Sequence, residues 1–181
     1  MKTLREITMA EIEFVLQKTR NNIAPGSSGF SGAFYKAFWP ELKHTVHLAI
    51  NSIYYDNELP ESLRFGIVHI IPKGQKDQRH LSNWRPLTLL NTLYKLISSI
   101  LAERLKKVLN RILGPHQKAY IPDRFISEAT KNCHDTFEQA VRNKNPGLAI
   151  MVDFEKAFDS VSFSFIQNTL KIFGFGPKFR K

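Results

Sequence analysis

Apolar residues recur along this chain at helical spacing over most of its length, and in short unbroken runs at two places. Met9, Ile12, Val15 and Leu16 share one face of a helix that begins at Thr8. Glu11 follows Thr8 by one helical turn, which predicts a capping box, and Ile7 can staple onto Ile12. Residues 21–29 are turn-forming, with Pro25, Gly26, Ser27, Ser28 and Gly29 in succession. Ser31 is placed to cap a second helix that carries Phe34, Tyr35, Phe38 and Trp39. Pro40 suits the first turn of a continuing or separate helix whose buried side holds Leu42, Val46, Ala49, Ile50 and Ile53. Leu59 and Pro60 end it.

Residues 65–71 read as a short strand closed by Pro72, and a polar loop over 73–83 follows. Leu93, Leu96, Ile97, Ile100, Leu101, Leu105, Val108 and Ile112 then keep helical register over about residues 91–113, until Gly114 and Pro115 stop the helix. After a loop over 116–124, a further helix is expected at 127–142 and a turn at Asn145, Pro146 and Gly147. The unbroken apolar run 148–152 predicts a buried strand. The last helix starts near Ser162 and carries Phe165, Ile166, Leu170 and Phe173. The expected class is α/β in the α+β sense, helix-rich with few strands, without internal repeat or low-complexity tract.

Composition narrows this picture. Hydrophobic residues make up 43% and aromatic residues 12% of 181 positions, with 14 Phe, which argues for a packed core and against disorder. One cysteine excludes an internal disulfide and a cysteine-rich zinc site. The charged start has no secretory pattern, and the longest apolar runs are too short to span a bilayer, so a soluble intracellular protein is expected, with nucleus or cytoplasm open. The net charge of +10 is concentrated: residues 64–124 hold 12 Lys/Arg against 3 Asp/Glu. Such a block attracts polyanions, although a basic surface can also serve solubility alone.

Four groups of residues are candidates for chemistry. Asp153 ends the 148–152 run within MVDFEKAFD, where its carboxylate and the Phe154 carbonyl are oxygen ligands of the kind Mg²⁺ takes. A lone aspartate there is more often simple polar termination. Glu155 and Asp159 lie nearby, as solvated polar residues or helix caps. Lys73 and Arg85 flank one loop and could clamp a triphosphate, Arg in bidentate fashion and Lys as a point charge, or be a solvated basic loop. Phe158 could pack against a sugar beside a metal site, or be a core aromatic. Gln117 and Arg124, in HQKAYIPDR, could touch a template strand, or belong to a plain connection.

Taken in order, APGSSGF, IIPKG, NWRPLTLLNTLYKLIS, HQKAYIPDR, MVDFEKAFDSVSFSFI and FGFG resemble the reverse transcriptases of non-LTR (LINE-type) retrotransposons, from about Ala24 to Gly176. The resemblance implies a right-hand polymerase, of which this chain supplies a lead-in helix (1–23), a fingers-like region (24–147) and the start of the palm (148–181), incomplete. It implies that Asp153 is the first metal-binding aspartate, with the Phe154 carbonyl beside it, and that Phe158 is the aromatic gate favouring deoxynucleotides. It further implies that Lys73 and Arg85 grip the incoming triphosphate, and that Gln117 lies in the block packing against template and primer. Two Mg²⁺ ions, a dNTP, an RNA template and a DNA primer are the implied cofactors and partners, with no membrane and the oligomeric state open. Ser28 stands where the family often has Asp, and Ala119 and Asp123 stand where it usually has glycine.

The family's second catalytic block, ending in two consecutive aspartates, is absent, and no Asp-Asp pair occurs in the sequence. One carboxylate cannot hold two divalent ions roughly 4 Å apart, so the chain alone is expected not to extend a primer. The 148–152 strand is likewise expected to lack a partner and to leave apolar surface exposed. The alternative reading is a non-catalytic nucleic-acid-binding remnant of a retroelement.

Overall fold

The structure, a computed structural model, describes residues 5–75, 77–154 and 157–180. The chain divides into two compact units, the first running to Glu103 and the second from Arg104 onward. This division falls within a helix.

The first unit is built on three helices. Helix α1 (Met9–Lys18) opens with the expected capping box: the Thr8 hydroxyl accepts from the Glu11 amide at 3.3 Å, and the Glu11 carboxylate accepts from the Thr8 amide at 2.9 Å. Helix α2 (Gly32–Ala37) is capped by Ser31, and α3 (Trp39–Asp56) has Pro40 in its first turn and ends at Asn57 in the left-handed region. Thr19 Cγ2 lies 2.7 Å from where a Cβ on Gly32 would sit, so only glycine allows α2 this close to the end of α1. Lys36 completes the joint by donating to the Gln17 and Thr19 carbonyls, which α1 leaves without helical partners. A buried amide, Asn51, pairs with both backbone groups of Ile7, accepting at 2.8 Å and donating at 2.9 Å. It thereby satisfies a segment that has no sheet to join.

The core of this unit gathers Ile7, Ile12, Val15, Leu16, Val46, Ile50, Tyr54, Leu63, Leu96, Ile97 and Ile100. Burying each large aliphatic side chain contributes about 1.5–3 kcal/mol, so the packing of α1 and α3 with the following helices stabilises the unit.

A short helix, α4 (Glu61–Arg64), which the periodicity does not announce, leads into strand β1 (Ile67–Pro72). Strand β2 (Trp84–Leu89) pairs antiparallel with it, Ile67 opposite Leu89 and Pro72 opposite Trp84. β2 was not expected, because Pro86 interrupts its donor pattern. Proline is tolerated here because each strand of a two-stranded sheet is an edge. All six residues of β1 are exposed.

Helix α5 (Thr92–Ile112) starts in the first unit and ends in the second, followed by α6 (Ile126–Arg142), α7 (Phe163–Ile172) and the short α8 (Pro177–Arg180). Ser162 caps α7 as expected. α7 closes with Gly174 at φ +76° and with amides of Gly174 and Phe175 bonded back to Lys171 and Leu170, a Schellman stop that accounts for the first glycine of FGFG. α6 closes the same way with Lys144 at φ +51° in place of glycine.

One expectation is overturned. Residues 148–152 form no strand: they run as irregular backbone, with Leu148, Ile150, Met151 and Val152 exposed by 74–90%. A strand exists only where a ladder receives its amides and carbonyls, and no strand among the described residues pairs with this one. The exposed apolar surface expected there is present.

Candidate functional site

Lys73 and Arg85 belong to the β1–β2 hairpin. Arg85 is paired with Ile71, and Lys73 lies two positions beyond Ile71, so the alternation of strand faces puts both cations on one side of the ribbon. The ladder extends past Pro72, since the Lys73 amide donates to the Asn83 carbonyl at 2.7 Å. The Lys73 ammonium donates to the Ser82 carbonyl at 2.7 Å, and the Arg85 side chain stands exposed.

The loop between them is ordered by its own polar groups. Asn83 donates to the Asp77 carbonyl and the Trp84 indole to the Gln78 carbonyl, each at 2.8 Å. Arg79 lays its guanidinium on the Asp77 carboxylate, 3.0 Å at the shortest contact. That side-chain bond, with the Arg79 amide, holds the Asp77 carboxyl below the usual carboxylate value.

The root of the hairpin is fastened by Asn91. Its side-chain oxygen accepts from the Ser28 amide at 3.0 Å and the Ser27 hydroxyl at 3.3 Å, while its NH₂ donates to the Ser62 carbonyl at 2.9 Å. Thr92 donates to the Phe30 carbonyl, and Lys95 to that of Ala24. The APGSSGF turn is thus lashed to the start of α5, and a Cβ on Gly26 would sit 2.5 Å from the Asn91 backbone nitrogen. Sequence reasoning missed Asn91, since its partners lie 29 to 64 positions away and leave no local pattern.

In the second unit, Gln117 and Arg124 are brought together within one loop. The Arg124 guanidinium donates to the carbonyls of Leu113, Gly114 and Gln117 and to the Asn110 side chain. It binds carbonyls just past the end of α5 and the Asn110 side chain on its last turn, and so ties the loop to that helix. A direct template contact, as expected from sequence, would have to compete with these bonds. The Gln117 side chain is exposed and donates to the Ala119 carbonyl at 3.2 Å. Of the two places where the family usually has glycine, Asp123 is itself left-handed at φ +61°, and at the other the left-handed residue is Tyr120, next to Ala119, at φ +62°.

Asp153, Phe154, Phe158 and Asp159 are exposed, Phe154 by 78% and Phe158 by 87%. Glu155 lies outside the described residues. Asp153 and the Phe154 carbonyl are oxygen donors suited to Mg²⁺, but two such donors do not enclose two divalent ions. Among the described residues no group of three His, Cys, Asp or Glu side chains could hold a metal, so these residues alone do not fit that site. No described helix is long and apolar enough to cross a membrane.

Comparison with known proteins matches residues 71–180 to the family described as reverse transcriptase (RNA-dependent DNA polymerase). The chain is 33% identical over 173 residues to the "Transposon TX1 uncharacterized 149 kDa protein" of Xenopus laevis, covering 96% of this chain and 13% of that one. It is 30% identical over 176 residues to the "Retrovirus-related Pol polyprotein from type-1 retrotransposable element R2" of Popillia japonica, covering 95% and 23%. It is 25% identical over 153 residues to the "Probable RNA-directed DNA polymerase from transposon X-element" of Drosophila melanogaster, covering 83% and 17%. The chain therefore spans less than a quarter of the length of each of these relatives.

Proposed function

The chain belongs to the reverse transcriptase (RNA-dependent DNA polymerase) family, of the kind found in non-LTR transposons, and from that premise we propose that it is the nucleotide-gripping portion of an RNA-directed DNA polymerase. The observation that carries this reading is the hairpin register, with Arg85 opposite Ile71 and Lys73 two positions further on. A planar guanidinium and an ammonium on one side of an ordered ribbon suit a triphosphate: Arg85 binds two oxygens at once and Lys73 supplies a point charge. The basic block over 64–124 draws in the template and primer backbones, with Gln117 beside them. Phe158 acts as the gate against a ribose 2′-hydroxyl.

Asp153 is one carboxylate of a site for two magnesium ions whose remaining ligands this sequence does not provide as an Asp-Asp pair. The chain by itself binds nucleotide and nucleic acid and does not extend a primer. Deoxynucleoside triphosphate titration of the chain and of its Lys73→Ala and Arg85→Ala variants tests the reading. Each charge-assisted contact is worth about 1.5–3 kcal/mol, so each substitution is expected to weaken binding by roughly 10-fold or more. Unchanged affinity in the double variant would remove the triphosphate assignment. Deoxynucleotide incorporation by the chain, abolished in Asp153→Ala, would overturn its inactivity.

A further inference from the structure

The loop after α5 shows an aromatic side chain under unusual conditions. The Tyr120 ring is 87% exposed, although an aromatic side chain gains more from burial than almost any other. Its backbone sits at φ +62°, a region that an aromatic residue occupies only when its surroundings impose it.

The surroundings do impose it. Ile121, the next residue, is buried and anchors the chain directly beside the exposed Tyr120. Arg124 binds the loop to three carbonyls and to Asn110, and Asn110 in turn donates to the Pro122 carbonyl at 3.1 Å. On the other side, Gln117 bonds Ala119, and Lys118 pairs with Glu128 of α6. The loop is fixed on both sides of Tyr120, and the ring is held away from the protein.

We propose that Tyr120 is a stacking platform for an unpaired base of a single-stranded nucleic acid, a role that rests on the nucleic-acid reading above. A loop fixed before binding loses little backbone freedom when a base stacks on the ring it carries. Stacking suits a single strand, whose bases offer open faces, and not a duplex, whose bases already stack on each other. Charge selects the partner: the loop ends the block that holds 12 Lys/Arg against 3 Asp/Glu, and Lys107 and Arg111 are exposed on the last turns of α5.

The test is equilibrium binding of a single-stranded oligonucleotide of about a dozen nucleotides, and of the matching duplex, at fixed salt. Tyr120→Gly relieves the left-handed backbone, so its Tm should equal or exceed that of the unaltered chain. Its single-strand affinity should fall about 5- to 100-fold while duplex binding is unmoved, and Tyr120→Phe should bind as the unaltered chain does. Equal single-strand affinity in Tyr120→Gly, or equal losses for strand and duplex, would overturn the platform while leaving the nucleic-acid reading intact. An unaltered chain without salt-dependent binding would remove both.

Discussion

Asn91 accepts a hydrogen bond from the Ser28 amide at 3.0 Å, across 63 positions of sequence, and the same buried side chain donates to the Ser62 carbonyl. It joins the APGSSGF turn, the approach to β1 and the exit from β2 at one point. Asn91→Ala leaves the Ser28 amide and the Ser62 carbonyl without that partner, and is expected to cost about 2–4 kcal/mol. Gly26→Ala drives a methyl group against the Asn91 backbone and is expected to cost about 1–3 kcal/mol. Urea unfolding of each variant measures this, and a loss under about 0.5 kcal/mol in both would show that the junction is not rigid.

Arg124 offers a test of a different kind, because its bonds organise a loop and not a core. Arg124→Ala is expected to cost about 1–3 kcal/mol and to speed amide hydrogen exchange in the last turn of α5 and in residues 114–124. Arg124→Lys should not restore the loop, since one ammonium cannot reach all the acceptors that the forked guanidinium spans. Unchanged exchange in Arg124→Ala would count against its role as organiser.

Asp123 and Lys144 occupy left-handed backbone at φ +61° and +51°, where glycine is unstrained. Asp123→Gly and Lys144→Gly are each expected to raise stability by up to about 1 kcal/mol, read as a higher denaturation midpoint. Gly174→Ala, at φ +76°, should lower it by a similar amount. A destabilised Lys144→Gly would mean that the lysine side chain holds the end of α6.

Acid should loosen the hairpin loop. Arg79 holds the folded Asp77 carboxyl below its ordinary value of 3.8, so the stabilising pairing is complete above that value. It is lost as the pH falls below 3.8 and through the lowered folded value. An NMR titration of the Asp77 carboxyl should show the depressed midpoint, moving up towards 3.8 in Arg79→Ala. A midpoint that stays put in the variant would refute the assignment of its cause.

The exposed run at 148–152 predicts a solubility effect without a folding effect. Met151 is 90% exposed, so Met151→Lys is expected to change stability by less than about 0.5 kcal/mol while reducing aggregation and binding of an apolar dye. A large loss of stability would show that the run packs in solution.

The sequence by itself determined the elements whose causes lie within a few residues. Thr8 with Glu11, Ser31 and Ser162 each cap the helix they precede, and the apolar spacing of α1, α3 and α5 marks the faces that pack. These features were legible because a cap bonds an amide three residues on and a helical face repeats every turn. The pairing of Lys73 with Arg85 was legible as a neighbourhood only; the one-sided arrangement came from the register of β2, a strand that Pro86 hid.

Tertiary structure alone decided the rest. Asn91 looked like one polar residue among many until chain segments distant in sequence converged on it. Arg124 looked like a cation available to a template, and the carbonyls of the loop that follows α5 claimed it. The run at 148–152 has a strand's composition and no strand's structure, because composition sets only a preference, whereas a ladder needs a second backbone at hydrogen-bonding distance.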